Sequence, residues 1–146
     1  MFLLTDMETQ YMRLMHWLGK HRRLAVLALF LALAFTYLQL NSVVAQARRL
    51  GDRPFTPEAW AMASQLERAE MTASLLEQYD MSNFTRHDVV ALLGPQTGYY
   101  DYDTNPAYFV GPDTVESMYG KGYLLVFETD KYDGDVDSIF FVPEVE

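Results

Sequence analysis

Residues Leu24 to Leu38, LAVLALFLALAFTYL, contain no charged side chain and follow directly on Arg22-Arg23. No other stretch constrains the chain as strongly, because an uncharged helix of this composition requires apolar surroundings on every side. Nine of its residues are Leu, Val or Phe, which favours bilayer insertion by roughly 3 to 5 kcal/mol before polar penalties. Burial inside a soluble core is the weaker alternative. Extended to Val44 the segment has 21 residues, about 31 Å of helix against a hydrocarbon core of about 30 Å. That length fits a permanent anchor from Leu24 to Val44. The same region also reads as a signal peptide, with a basic start, a 15-residue apolar core and Ala45-Gln46-Ala47 as the cleavage site. Arg13, Lys20, Arg22 and Arg23 precede the segment, whereas Arg48, Arg49 and Arg53 follow it. This four-to-three bias places the N-terminus in the cytoplasm and the rest of the chain outside.

Charge separates the two parts. Residues 1–47 hold four Lys/Arg and two Asp/Glu, while residues 48–146 hold seven Lys/Arg and eighteen Asp/Glu, a balance of -11. Phosphate backbones repel such a surface, so nucleic-acid binding is excluded as a function class. The chain has no cysteine, which removes disulfides, thiolate metal sites, cysteine nucleophiles and a lipid-modified N-terminal cysteine.

The expected organisation is a basic cytoplasmic segment 1–23, the hydrophobic segment 24–44, a linker 45–55 and a folded domain 56–146. Thr56-Pro57-Glu58 reads as an N-cap, a first-turn proline and a first-turn acid. A single helix is predicted from there to about Tyr79, with Ala59, Met62, Leu66, Ala69, Ala73 and Leu76 as its core stripe and Trp60, Met71 and Leu75 on another side. A second, short helix is predicted in TRHDVVALLGPQ, residues 85–96: Thr85 is the N-cap, Asp88 reaches back as in a capping box, and Gly94-Pro95 ends the helix. Aromatic and β-branched runs then predict strands at Gly98 to Tyr102, Ala107 to Val110, Tyr123 to Glu128 and Val136 to Val142. Asp133-Gly134 marks a hairpin turn, and Gly111 to Gly122 is a longer connection. The fold class is therefore α+β: an N-terminal hydrophobic helix, then two helices packed on a four-stranded antiparallel sheet.

No residue emerges as catalytic, cofactor-binding or metal-ligating. His87 is the one histidine after residue 21, and it sits on the outer early turn of the short helix with no nucleophile or ligand set around it. No G-x-S-x-G elbow, HExxH, phosphate loop or GxGxxG is present. The acidic run DKYDGDVD, Asp130 to Asp137, fits a calcium loop only in part. An EF-hand template begun at Asp133 puts Ser138 where glycine is required. A solvated hairpin explains the run better. Tyr99, Tyr100, Tyr102, Tyr108 and Phe109 are denser than a small sheet needs, and Tyr99, Tyr100 and Tyr102 form a candidate interaction surface.

The pattern Arg68, Met71, Leu75, Leu76, then Thr85, Val89, Leu92, Leu93, Gly94, then Tyr108, Gly111, Leu125, Phe127 and Val136 resembles the SmpA/OmlA type of small bacterial envelope domain. That family is related in fold to β-lactamase inhibitory protein, and the resemblance spans about Arg68 to Val142. It implies a non-enzymatic protein-interaction or assembly-supporting module at the cell envelope, with an envelope protein as partner and no cofactor. Well-known members are outer-membrane lipoproteins that help β-barrel assembly. This chain has the apolar segment in place of a lipidation cysteine, so a single-pass inner-membrane form with its C-terminal domain in the periplasm is expected. The alternative is a periplasmic form released after Ala47. An exported enzyme without a recognisable motif, or a calcium-steadied structural domain, are the other functional classes left open.

Overall fold

The computed structural model describes residues 11, 12, 16, 19, 22–40, 42–132 and 134–146. Most of the basic segment 1–23, including Arg13 and Lys20, lies outside the described residues. The chain divides into two units, residues 1–40 and 41–146.

In the first unit Arg22–Leu40 forms helix α1. Leu24, Leu29, Phe30, Leu33, Phe35 and Leu38 are each 61 to 68% exposed and point all round the helix. Among the described residues no single helix is long and apolar enough to cross a membrane. The uninterrupted segment expected from Leu24 to Val44 is divided, because Ser42 caps a new helix by accepting from the Ala45 amide at 3.2 Å.

That new helix, α2 (Val43–Leu50), opens the second unit and occupies most of the expected 45–55 linker. Ala47 is wholly buried in the core. At the end of α2, Gly51 has φ +147°, and a Cβ there would lie 2.8 Å from the Glu70 backbone. Only glycine allows that approach. Arg48 pairs with Glu77, and Gln46 and Arg49 bind the two backbone groups of Val145, at 3.0 and 2.7 Å.

The single helix expected over residues 57–79 is two helices, α3 (Pro57–Met62) and α4 (Gln65–Gln78). The break is a second capping box: Ser64 Oγ accepts from the Glu67 amide at 3.3 Å, and Glu67 Oε2 accepts from the Ser64 amide at 2.8 Å. Of the predicted stripe Ala69 and Ala73 are buried and Ala59 and Leu76 pack against the core, but the break leaves Met62 and Leu66 exposed, while Trp60, Met71 and Leu75 are wholly buried. A 3-10 turn, Met81–Asn83, leads to α5 (Arg86–Leu93). The second unit therefore holds four α-helices among its described residues, where two were expected.

The main sheet has three strands, β1 (Ala107–Val110), β4 (Tyr123–Thr129) and β5 (Val136–Val142), antiparallel in the order β1-β4-β5. Two residues from each of β2 (Glu116–Ser117) and β3 (Gly120–Lys121) pair separately. The four-stranded sheet is thus corrected to three plus a small hairpin. The missing strand is 98–102, where Asp101 turns to φ +51° and the Tyr102 amide folds back on the Tyr100 carbonyl. Its start still clings to the β1 edge, since the Thr97 and Gly98 amides both donate to the Ala107 carbonyl. β4 is apolar on both faces: Leu125 and Phe127 join the helix-side core, and Leu124 and Val126 a second, smaller cluster on the outer face.

Candidate interaction surface

The outer face of the sheet gives the aromatic residues their positions. Ala107, Leu124 and Val126 are buried there under Tyr100, Phe109, Tyr119, Phe140 and Val142. Two glycines let the covering segments descend. A Cβ on Gly98 would sit 2.3 Å from Leu124 Cδ1, and one on Gly120 would sit 2.8 Å from the Phe109 ring. Hence Gly98 and Tyr100 of one segment and Tyr119 and Gly120 of the β2–β3 hairpin pack against the sheet.

Of the three tyrosines expected at the surface, Tyr100 is half-buried, with its ring 5.2 Å from both Tyr119 and Phe140. Burial raises the Tyr100 phenol pKa, with the Asp101 and Glu128 charges adding to it. Tyr99 and Tyr102 are exposed, Tyr102 at 70%. Tyr99 turns its hydroxyl to the Asp101 carbonyl at 2.5 Å. Tyr119 reaches Asp101 Oδ1 at 3.3 Å, which ties the hairpin to the loop. Its phenol pKa is likewise raised, first by desolvation and then by the Asp101 charge.

The base of the loop is anchored by Asn105. Its Oδ1 accepts from the buried Thr129 amide at 3.0 Å, and its backbone N–H donates to the Tyr102 carbonyl at 3.1 Å. Thr129 Oγ1 and Arg86 Nε both donate to the Thr104 carbonyl, at 2.7 and 2.6 Å. The loop thus hangs from the end of β4 and the start of α5. Beside Tyr102, a groove of about 480 Å³ is lined by Thr104, Glu128, Asp130, Lys131 and Asp137, among others.

Met118 and Tyr119 lie in the stretch Gly111 to Gly122, expected only as a longer connection, which here contains the β2–β3 hairpin. Met118 stands at the hairpin tip and is 90% exposed. A signal was available in Glu116-Ser-Met-Tyr-Gly-Lys121, a four-residue turn between opposite charges that face each other across the hairpin at 3.8 Å.

The stretch containing His87 is occupied by architecture. Thr85 stands at the N-cap of α5, where its amide and hydroxyl donate to Asp88 Oδ2 at 2.9 and 2.7 Å. These bonds lower the Asp88 carboxyl pKa, the backbone contribution being the larger. His87 is exposed and lines a shallow depression with Thr85, Arg86, Val90 and Gly134. At the other end Gly94 holds φ +81° and ψ -172°, and Pro95 follows in the open. Among the described residues no three His, Asp or Glu side chains gather as a metal site. Asp133, where the calcium template would start, lies outside them.

No protein-family model, curated protein or solved structure matches the chain.

Proposed function

We propose that the chain is a non-enzymatic envelope protein, tethered to the inner membrane by α1, whose acidic α+β domain outside the cytoplasm binds another protein and supports its assembly. The observation that carries this is the junction at residue 40. An apolar helix with its large side chains uncovered ends at Leu40, and two residues later Ser42 caps the first helix of a folded domain. Such a helix needs apolar surroundings that water does not supply. Its uncharged part, residues 24–40, spans only about 25 Å, short of a hydrocarbon core of about 30 Å, so the tether requires local thinning of the bilayer with Arg22 and Arg23 snorkelling to one interface.

The arrangement favours a retained tether over a cleaved signal. Cutting after Ala47 would divide α2 and remove Val43, Gln46 and buried Ala47 from the domain that they complete. The family reading draws support from where its motif residues lie. Met71, Leu75, Val89, Leu93, Tyr108, Leu125, Phe127 and Val136 are core residues, and Thr85 and Gly94 cap α5. In this reading His87, which faces solvent, and Asp88, which is bonded to Thr85, carry no catalytic role.

Protease treatment of spheroplasts tests the proposal. The domain should be digested from outside while a membrane-protected fragment retains α1. A domain protected until the inner membrane is lysed would place it on the wrong side and refute the reading.

A further inference from the structure

Tyr99, Tyr102 and Met118 expose their side chains on two segments, residues 98–103 and the β2–β3 hairpin, which the Tyr100–Tyr119 ring contact and the Tyr119–Asp101 hydrogen bond join into one patch of chain. Aromatic residues and methionine are enriched at the centres of protein interfaces, whereas charged residues form the rim. A methionine on the tip of a hairpin with two residues per strand contributes nothing to the core beneath it. Methionine also adapts to varied partners.

The charge around this surface limits what can cover it. Between Gly98 and Asp137 the chain holds nine Asp/Glu and two Lys, whereas residues 42–97 hold seven Asp/Glu and five Arg. The negative charge of the domain is thus concentrated on the side of the sequence that builds the patch. The groove next to Tyr102 repeats the bias, with Glu128, Asp130 and Asp137 against Lys131. A second copy of this chain, or an anionic bilayer, would meet like charge. A segment with Lys or Arg beside apolar anchors would meet opposite charge, and tyrosine faces also attract those cations.

We propose that Tyr99, Tyr102 and Met118 dock a cationic segment of a partner protein, with apolar anchors seated on the patch and Lys or Arg directed to the groove beside Tyr102. The inference rests on the interaction-module reading and names the chemistry of its partner.

The test is site-specific photo-crosslinking in cells, with a photoreactive amino acid placed in the full chain at position 102, 118 or 62, followed by mapping of the captured peptide. Met62 is the comparison because it is equally exposed but lies at the α3–α4 junction. Positions 102 and 118 should capture one protein through a segment of net positive charge, and adding Tyr102→Ala to the position-118 probe should cut its yield at least fivefold. Capture of an acidic segment, of lipid or of a second copy of this chain from these positions would overturn the inference. Capture from position 62 alone would also overturn it while leaving the interaction-module reading intact. Capture from none of the three would count against both.

Discussion

The hydroxyl of Tyr108 donates to the carbonyl of Gly94 at 2.8 Å, so a residue of β1 closes the C-terminal end of α5. The neighbouring carbonyl, Leu93, accepts from Trp60 Nε1 at 3.2 Å, and the two rings meet edge to face at 6.2 Å. Helix ends leave their last carbonyls without intrahelical partners. Here two buried aromatic residues satisfy two of them, which locks α3, α5 and the sheet together.

Tyr108→Phe should therefore lower unfolding stability by about 1 to 3 kcal/mol at pH 7, the usual consequence of leaving a buried acceptor without its donor. A second signature is alkaline. Burial raises the Tyr108 pKa to about 12 from its ordinary 10. Its protonated form is thus favoured in the folded state, so the stabilisation is complete below pH 10 and is lost as pH rises towards 12. Urea unfolding at pH 8 and pH 11 should show the native chain losing more stability between the two than Tyr108→Phe.

The second capping box makes an acid-side prediction. Glu67 has its pKa lowered from 4.5 to about 2, first by the Ser64 amide, then by the Ser64 hydroxyl and Arg53. A depressed carboxylate stabilises the fold above its unfolded pKa, and that contribution fades as pH falls from 4.5 towards 2. Ser64→Ala should cost about 1 kcal/mol at neutral pH. It should also remove the hydroxyl's share of the acid-window loss and leave the share owed to the Ser64 amide and Arg53, so the profile should flatten in part, as measured by thermal unfolding at pH 6, 4 and 3.

Two glycine substitutions should fail for different reasons. A Cβ added at Gly94 would meet no atom within 4 Å, but the φ of +81° with ψ -172° suits glycine alone, so Gly94→Ala should cost about 1 to 3 kcal/mol through the backbone. Gly98 has no such conformation. Its added methyl would meet Leu124 Cδ1 at 2.3 Å, so a Gly98→Ala cost of about 1 to 3 kcal/mol should arise from overpacking. Leu124→Ala should relieve the Gly98 substitution in a double-mutant cycle and leave the Gly94 effect unchanged.

These contrasts show what was legible beforehand. Gly94-Pro95 announces a helix end in any context, and the central strand Tyr123 to Glu128 declares itself by being apolar on both faces. Local chemistry suffices there. The Ser64 and Glu67 pair was equally local, yet a stripe of small and apolar residues running through it imitated one continuous helix. Gly98 to Tyr102 has the composition of a strand, but Tyr100 serves to roof the outer sheet face, and that use depends on Phe140 and Tyr119 far along the chain. For the same reason the position of the hairpin that carries Met118 depends on Phe109, against which Gly120 lies.

Asn105 offers a test of how the tyrosine loop is held. It is buried and bridges the loop to the end of β4, so Asn105→Ala should cost about 1 to 3 kcal/mol. Hydrogen exchange at the Tyr102 and Thr129 amides should accelerate more than at Leu125, which lies mid-strand. Uniform acceleration across the sheet would instead indicate a global loss of stability.

The junction between α1 and the domain is tested most directly by the N-terminus and partition of the mature chain in fractionated cells. Retention in the membrane after alkaline extraction, with residues 22–40 still attached, is the expected result. A soluble chain beginning at Arg48 would contradict it, because that product lacks both the tether and the buried Ala47 that completes the domain.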